Sequence, residues 1–379
     1  MNPCIFFSII MLFAKKIPSV DIYFPTFFVL LQQMSEKKTT ITFIINPIAG
    51  TQSKDDIPAL ADKMLDHDRF QVSTVFTEYA GHAAEIARQC AAAGEDVVVA
   101  VGGDGTVNEV ARSLVHTRTA LAIVPCGSGN GLARHLLLPL DASKAMGIIN
   151  ECHIEPFDYG VINGLPFFCT CGMGFDAFIS LKFAEAGKRG PITYVENVLK
   201  EGLKYKPETY IVEDATGKVR HKAFLIACAN ASQYGNNAYI APGATMRDGL
   251  MDVIIMEPFN ALDAPQIAAD LFMKTLGNNS KIKTFRAERI HIKRNNEGAI
   301  HYDGDPVMTG TDVDVHIEHL GLNIVTNAAA TEDDAHPNPV LNAFSDLFNN
   351  INNVREDITK QGRRIQVINK LMLRRLSKL

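Results

Sequence analysis

The spacing of apolar and polar residues predicts that strands and helices alternate over the first 140 residues. Short runs of β-branched and apolar residues predict four strands, at residues 40–45, 72–76, 97–101 and 120–124. Apolar residues at helical spacing predict helices between and after these strands, at residues 57–65, 81–93, 107–115 and 132–138. Strands that alternate with helices in this way are typical of a parallel, doubly wound α/β sheet.

Beyond residue 150 the pattern changes to short segments rich in β-forming residues. These segments lie at residues 157–162, 165–170, 209–213, 222–229, 251–256, 289–293, 312–317 and 322–325. Turn dipeptides such as Asn163-Gly164, Thr216-Gly217 and Asp303-Gly304 separate several of them. Helices are predicted at residues 192–204 and 263–275. The pattern favours an antiparallel β-sandwich as a second domain.

Composition and charge describe an ordinary globular protein. The chain has 379 residues, of which 47% are hydrophobic and 21% charged, and this length favours two or three domains. The formal net charge is −5, so the chain has no overall excess of positive charge and no nucleic-acid partner is expected. Seven scattered cysteines indicate reduced thiols in the core of a cytoplasmic protein.

The first 33 residues stand apart from the predicted domains. Lys15, Lys16 and several prolines interrupt their apolar runs, so a spanning helix, which needs about 18 apolar residues, is not expected. No positive charge precedes the first apolar run, as a secretory signal would require. Met34 is a natural start just before the first strand. Residues 1–33 are therefore interpreted as an over-extension upstream of the true start, or as a weak membrane-associating leader.

The rest of the chain divides into an α/β domain at residues 34–150, a β-sandwich domain at residues 151–327, and a linker and tail at residues 328–379. The tail ends in residues 362–379, which carry six Lys or Arg and no acid. Such a basic amphipathic helix can lie on an anionic bilayer, where each basic residue contributes about 1 kcal/mol. It can equally dock on a partner or pair with itself in a homodimer, and these alternatives stay open.

Three polar turns follow the carboxyl ends of predicted strands, where open α/β sheets bind their ligands. They are Asn46-Pro-Ile-Ala-Gly50, Gly102-Gly-Asp-Gly-Thr-Val-Asn108 and Pro125-Cys-Gly-Ser-Gly-Asn130. Glycines lack a Cβ and let backbone N–H groups approach a phosphate, and the helix that starts in the second turn adds a partial positive charge. Asp104 places a carboxylate beside that site, which predicts a metal ion or a proton transfer. The turns match neither the Walker A pattern nor the dinucleotide glycine pattern.

Two further polar elements lie in the second domain, at residues 241–252 and 301–306. They contain Asp248-Gly-Leu250 and Asp303-Gly-Asp305. Taken alone, each Asp-Gly pair is more typical of a hairpin turn than of a catalytic site.

In this order along the chain, the three turns and the two Asp-Gly elements resemble the diacylglycerol kinase catalytic-domain family. The resemblance covers about residues 40–326, and the family includes bacterial soluble lipid kinases and the sphingosine and ceramide kinases. It implies a parallel α/β nucleotide domain like those of NAD kinase and phosphofructokinase, followed by an antiparallel β-sandwich domain. It also implies that ATP and the lipid hydroxyl meet in the cleft between the two.

The resemblance assigns roles to individual residues. The positions implied to contact ATP are Asn46, Pro47, Gly50, Thr77, Gly102, Gly103, Asp104, Gly105, Thr106, Asn108 and Ser128. The positions implied to bind Mg²⁺, in part through backbone carbonyls, are Thr245, Asp248 and Leu250, and oxygen ligands suit this cation. Asp305 stands where the family usually has a glutamate that accepts the substrate proton. Asp303 would support it, and Asp104 would act through the metal or its waters.

These roles imply a cytoplasmic lipid kinase that visits the membrane and transfers the γ-phosphate of ATP, with Mg²⁺, to a lipid hydroxyl. The sequence Gly127-Ser-Gly-Asn130 is more similar to sphingosine kinases. It does not decide whether the lipid is a diacylglycerol, a sphingoid base or a ceramide. Two alternatives stay open: an NAD kinase-like enzyme, which shares the central glycine turn, and a regulator that binds lipid or nucleotide without turnover.

Overall fold

The computed structural model describes residues 38–50, 54–186, 205–260 and 262–330. The predicted leader at residues 1–33, the predicted helix at residues 192–204 and the predicted tail from residue 331 lie outside this part of the chain. Among the described helices, none is both long and apolar enough to cross a membrane. Contact of the tail with a membrane or with a second copy stays a prediction.

The described residues contain the following strands and helices. The strands are β1 (Thr39–Ile45), β2 (Phe70–Phe76), β3 (Val97–Gly102), β4 (Ala120–Pro125), β5 (His153–Ile162), β6 (Leu165–Phe167), β7 (Thr170–Gly174), β8 (Glu208–Asp214), β9 (Gly217–Ala223), β10 (Leu225–Ala229), β11 (Met251–Met256), β12 (Ile282–Ala287), β13 (Arg289–Arg294), β14 (Gly298–Tyr302), β15 (Asp305–Thr309) and β16 (Asp312–Thr326). The helices are α1 (Ile57–Met64), α2 (His82–Ala93), α3 (Asp104–Leu114), α4 (Gly131–His135), α5 (Ala142–Glu151), α6 (Phe175–Ala186) and α7 (Ala264–Phe272), with a 3-10 turn at Leu276–Asn278.

The first half of the chain forms a parallel sheet with helices on both faces. Strands β2, β1, β3 and β4 lie side by side in that order, and each pair of neighbours is parallel. Every residue of β3 and β4 is buried, because helices cover both faces. Helices α2 and α3 pack on one face around Val110 and Leu114, and α1 and α5 pack on the other around Ile57 and Met146. The predicted parallel α/β architecture is therefore confirmed.

The second half forms two antiparallel layers around a common core. One layer is the six-stranded sheet β12-β11-β10-β7-β14-β15. The other contains β5, β8, β9, β13 and the first part of β16. Side chains such as Met173, Ile226, Ile290 and Val315 fill the space between the layers. The predicted β-sandwich is likewise confirmed.

The last strand, β16, joins the two halves in one sheet. It pairs with β5 along both of its parts and with β13 along the first, and Ile324 lies beside Leu121 of β4 in parallel. The ten-stranded sheet therefore runs from the nucleotide half into the sandwich without a break. The predicted boundaries stay predictions: residue 150 lies in the last turn of α5, and residue 327 follows β16 directly.

Several local elements differ from the predictions. Helices α5 and α6 lie outside the predicted set, and the apolar residues of α6 follow no helical period that could reveal it. The segments at residues 165–170 and 222–229 are each two strands rather than one. The segments at residues 312–317 and 322–325 belong to β16, whose register shifts between Glu318 and Leu322, where Leu320 has a φ of +49°. Strands β12, β14 and β15 also lie outside the predicted set, because polar residues interrupt their apolar runs.

Candidate active site

The turns that follow β1, β3 and β4 contact one another at the carboxyl edge of the parallel sheet. Asn46 Nδ2 donates a hydrogen bond of 3.0 Å to Thr106 Oγ1 in the first turn of α3. A Cβ built on Gly127 would lie only 2.5 Å from the Cα of Gly103, and one on Gly50 would lie 1.9 Å from the carbonyl oxygen of Cys126. These contacts leave no room for a side chain, so the glycines allow the three turns to form one continuous surface.

Helix α3 starts within the second of these turns. Helix α3 begins at Asp104, and its N-cap residue Gly103 makes no side-chain capping bond. The first N–H groups of a helix have no acceptor within the helix, and they carry a partial positive charge. A Cβ built on Gly105 would meet nothing within 4 Å, so this side of the turn is open. The arrangement suits the binding of an anion such as phosphate.

The remaining predicted ATP contacts lie around the same edge. Thr77 follows β2, and its N–H donates to the carbonyl of Ile45 at 2.8 Å, which places it beside the turn after β1. Pro47 and Ser128 are exposed in their turns. The structure thus brings together the predicted residues of four strand ends, whereas their contacts with ATP stay predictions.

Asp104 has a structural role that explains its position beside a phosphate site. Its Oδ2 accepts a hydrogen bond of 2.9 Å from the N–H of Asn130, and its Oδ1 accepts one of 2.7 Å from the N–H of Gly131. Burial raises the pKa of the Asp104 carboxyl, and these two bonds oppose the shift. A Cβ on Gly129 would lie 2.7 Å from Oδ2, so this turn also needs glycine. Asp104 therefore ties the start of α3 to the start of α4.

Asp303 is held by four hydrogen-bond donors. The N–H of Phe168 and Asn108 Nδ2 donate to its Oδ2 at 2.8 and 2.9 Å, and the N–H groups of Cys169 and Thr170 donate to its Oδ1 at 2.8 and 3.1 Å. Burial raises the pKa of this carboxyl as well, and the four bonds oppose that shift. Asp303 therefore anchors the β14–β15 hairpin to the strand that precedes α6 and, through Asn108, to α3.

Asp305 lies two residues further along, in a more open environment. It is exposed and stands opposite Tyr302 in the β14–β15 hairpin. Directly opposed residues of an antiparallel pair point to the same face of the sheet, so Asp305 and Tyr302 share a face. Burial raises the pKa of Tyr302, the charge of Asp305 adds to that rise, and Arg112 of α3 lowers it through a hydrogen bond. Asp305 is thus an accessible carboxylate next to helix α3.

The predicted metal set at Thr245, Asp248 and Leu250 does not fit a resident Mg²⁺ in the arrangement described. Asp248 Oδ1 accepts a hydrogen bond of 3.1 Å from the N–H of Leu250, and its Oδ2 is bound by the guanidinium of Arg286. The same guanidinium lies 3.7 Å from a carboxylate oxygen of Asp252. Arg286 therefore supplies the positive charge that a cation would bring. No group of three or more His, Cys, Asp or Glu in the described residues is arranged to hold a metal ion. Metal binding through backbone carbonyls stays a prediction.

Comparison with known proteins identifies the family. The family model described as "Diacylglycerol kinase catalytic domain" matches residues 40–162, and the one described as "YegS C-terminal NAD kinase beta sandwich-like domain" matches residues 170–324. The chain belongs to the diacylglycerol kinase catalytic-domain family. The matched segments together contain every predicted site residue of both halves, and the assignment supports a kinase.

Individual relatives of this family agree with the assignment. The diacylglycerol kinase of Bacillus subtilis (strain 168) is 24% identical over 267 residues, which are 69% of this chain and 88% of the relative. The diacylglycerol kinase of Mycobacterium tuberculosis (strain H37Rv) is 26% identical over 261 residues, which are 67% of this chain and 84% of the relative. The crystal structure of a diacylglycerol kinase from Bacillus anthracis has a TM-score of 0.60 at 20% identity, covering 78% of this chain and 99% of that one. At this identity the likeness shows a shared fold.

Within this diacylglycerol kinase fold, Asp158 is a structural residue that the sequence analysis missed. Its side chain is fully buried in β5. Its Oδ2 accepts a hydrogen bond of 2.7 Å from the N–H of Gly249, and its Oδ1 accepts one of 2.7 Å from the N–H of Leu320 and lies 2.8 Å from His319 Nδ1. Asp158 therefore fastens the Asp-Gly turn of residues 248–249 to β16. A single acid within a strand gives no sequence signal for this role.

A second missed group lies beside Asp303 in the same family fold. His301 is 2% exposed, and its Nε2 lies 3.0 Å from Asp176 Oδ2, to which the hydroxyl of Tyr234 also donates at 3.4 Å. A Cβ on Gly172 would lie 2.6 Å from the same carboxylate oxygen. The pair comes from β14 and α6, so only the tertiary structure brings it together. His301 lies in β14, two residues before Asp303, so its contact with Asp176 joins α6 to the hairpin that carries Asp303.

Proposed function

We propose that the chain is a lipid kinase that transfers the γ-phosphate of ATP, supplied with Mg²⁺, to a lipid hydroxyl. The observation that carries the proposal is the hydrogen bond of 2.9 Å from Asn108 to Asp303. It links the helix that begins at the phosphate-binding turn to the hairpin that bears Asp305, across 195 residues of sequence. Bringing a nucleotide site and a proton acceptor to one place is the main task of a phosphotransferase, because positioning and charge stabilisation dominate this reaction.

In the proposed reaction, the lipid hydroxyl oxygen forms a bond to the γ-phosphorus of ATP, while the bond from that phosphorus to the bridging oxygen of ADP breaks. The hydroxyl proton passes to a carboxylate oxygen of Asp305, a transfer that typically contributes 10²–10⁴-fold to the rate. The N–H groups of residues 103–106 bind the phosphates and hold them in line. When bound with ATP, Mg²⁺ neutralises part of the phosphate charge. Asp303 does not react, because it holds the hairpin in place.

The test is transfer of label from radiolabelled ATP by the full-length protein, with Mg²⁺ or with chelator. The acceptors are diacylglycerol, sphinganine and ceramide in mixed micelles, together with NAD. We expect label on one class of lipid, which would also identify the substrate. We expect Asp305→Ala to lose turnover while it still binds ATP, and Asp305→Glu to keep turnover. Near-normal turnover of Asp305→Ala would contradict the role of the carboxylate.

The other acceptors in this experiment separate the remaining functions. Label on NAD alone would replace the lipid kinase with an NAD kinase-like enzyme. Binding of ATP without label on any acceptor, in the wild type and in Asp305→Glu, would favour a binding-only regulator. We also propose that the protein is cytoplasmic and contacts the membrane through residues 362–379. Binding to anionic vesicles that disappears when those residues are deleted would support this part of the proposal.

A further inference from the structure

The ATP contacts expected from the family pattern carry no positively charged side chain. They are asparagine, proline, glycine, threonine, aspartate and serine residues at the turns after β1 to β4. ATP brings several negative charges, and the N-terminus of α3 offers only about half of one elementary charge. Asp104 adds a further negative charge on the same side. Phosphate sites elsewhere usually balance this charge with lysine or arginine.

Lys54 lies at these turns and is absent from the expected contacts. Its side chain is only 3% exposed, although lysine is among the residues least often buried. Its ammonium group donates a hydrogen bond to the carbonyl oxygen of Ala49, in the turn after β1. The carbonyl of Lys54 in turn accepts a hydrogen bond of 3.1 Å from the N–H of Ile57, which fixes its backbone at the start of α1.

The ammonium group of Lys54 also lies close to the turn after β4. Its charge lowers the pKa of the Cys126 thiol, against the rise that burial causes. Cys126 directly precedes Gly127, and Gly127 packs on Gly103 of the phosphate-binding turn. The positive charge of Lys54 is therefore placed between two of the three turns that form the candidate site.

Arg134 is a second cation beside these turns, but its contacts direct it elsewhere. Its Nε donates to the carbonyl of Gly129 at 3.0 Å and a terminal nitrogen donates to Asn237 Oδ1 at 3.2 Å. Its charge opposes, as the smallest of several causes, the rise that burial produces in the pKa of Asp104. Arg134 thus balances the carboxylate of Asp104, and Lys54 is the better placed of the two to balance a ligand.

We propose that Lys54 binds the phosphate groups of the nucleotide at the candidate site, an inference that rests on the proposed use of ATP. A charged phosphate oxygen is a stronger acceptor for an ammonium group than a neutral carbonyl oxygen. The bond to Ala49 is therefore exchanged for a bond to phosphate when ATP binds.

The test compares ATP with adenosine, which lacks the phosphates. Lys54→Gln removes the positive charge and keeps a hydrogen-bond donor on a shorter side chain. We expect its Kd for ATP to rise roughly tenfold to a hundredfold, as for the loss of one charged hydrogen bond. The Kd for adenosine stays unchanged, and Lys54→Arg recovers most of the affinity for ATP. Lys63→Gln, which changes an exposed lysine on helix α1, is the matched control.

Two outcomes of this comparison would overturn the inference. One is an unchanged Kd for ATP, and the other is an equal loss for ATP and adenosine, which indicates a structural role. If Lys54→Gln does not fold, the test is the extent to which a lysine-acetylating reagent modifies Lys54 in the wild type with different ligands. We expect ATP and inorganic tripolyphosphate to protect Lys54 from acetylation, whereas adenosine should give no protection. Equal acetylation of Lys54 with all three ligands would refute the proposal. If the wild type binds no ATP and labels no acceptor, the proposed function itself fails, and that result is distinct from a failure of Lys54 alone.

Discussion

Replacing Asp303 with asparagine should destabilise the protein, although the change alters the shape of the side chain very little. At neutral pH the carboxylate accepts four hydrogen bonds, two on each oxygen. The amide oxygen of an asparagine can take over the two bonds from Cys169 and Thr170. Its NH₂ group is a donor, and it would then face the N–H of Phe168 and the Nδ2 of Asn108, which are donors too.

The size of the loss of stability depends on whether the side-chain amide of Asn108 can flip. Each buried donor that loses its acceptor costs about 1–3 kcal/mol, so two of them would cost about 2–6 kcal/mol. Asn108 Oδ1 is buried and has no hydrogen-bond partner within the described residues. A flip of the Asn108 amide would let this oxygen accept from the new NH₂ group. The flip also gives up the bond of 3.3 Å from Asn108 Nδ2 to the carbonyl of Pro166, so the remaining cost is about 1–3 kcal/mol for the N–H of Phe168 together with the loss of that bond.

Urea denaturation of the wild type, Asp303→Asn and Asp305→Asn measures this cost. Asp305 is exposed, so its substitution should change the free energy of unfolding by less than about 0.5 kcal/mol. In the kinase assay we expect Asp305→Asn to lose turnover in a fully stable protein. An unfolding free energy for Asp303→Asn within about 0.5 kcal/mol of the wild type would refute the reasoning. An equal loss of stability in both variants would refute it as well, because the two acids would then share one role.

Two further predictions concern the turns and the pH dependence of folding. In Gly127→Ala the new methyl group would lie 2.5 Å from the Cα of Gly103, so thermal unfolding should reveal a loss of stability of about 1–3 kcal/mol. In Gly105→Ala the methyl group would meet nothing within 4 Å, so this variant should fold normally and have a higher KM for ATP. Equal stability of the two variants would contradict this. Burial lowers the pKa of His135 to about 4, below its ordinary value near 6.5, and its Nδ1 accepts a hydrogen bond from the N–H of Ser232. Between pH 6.5 and about 4, His135 is therefore protonated in the unfolded chain but not in the folded protein. The free energy of unfolding is thus highest above pH 6.5 and loses about 3 kcal/mol as the pH falls to about 4. Urea denaturation at several pH values should show that the free energy of unfolding falls less with pH in His135→Leu than in the wild type. An identical fall in both proteins would exclude this explanation.

The turns at the strand ends could be predicted because each combines local signals. A buried β-branched run, a glycine-rich turn and the start of an amphipathic helix follow one another within about 15 residues at Gly102–Gly105. The carboxyl ends of parallel strands meet at one edge, so several such turns imply a common site. The contact of Gly103 with Gly127 follows from this rule. The register and the pairing partners of the second half carry weaker local signals, because polar residues interrupt strands such as β12.

The partners of the acidic residues could not be predicted in the same way. Asn108 and Asp303 are separated by 195 residues, and their contact depends on how the sandwich meets the parallel sheet. Asp104 is held by backbone N–H groups, which every residue except proline possesses. The glycine turn singles out Asp104 in the sequence but not the N–H groups that hold its carboxylate, and Asp158 resembles any other acid until the chain is folded. The same limitation explains why the burial of Lys54 emerges only from the structure.

The geometry of the hairpin explains how two identical acids, two positions apart, come to differ. Asp303 has a φ of +46° and Gly304 one of +90°, as in the turns that match the twist of a hairpin. This turn directs Asp303 back to the N–H groups of residues 168–170, while Asp305 begins β15 in an exposed position. The anchor is rigid, so the reach of Asp305 is set by its own length. A glutamate would extend roughly 1.5 Å further, the length of one carbon–carbon bond. In the proposed reaction the acceptor hydroxyl must therefore approach this hairpin more closely than a glutamate would require, so the longer side chain of Asp305→Glu still reaches the hydroxyl and should keep turnover.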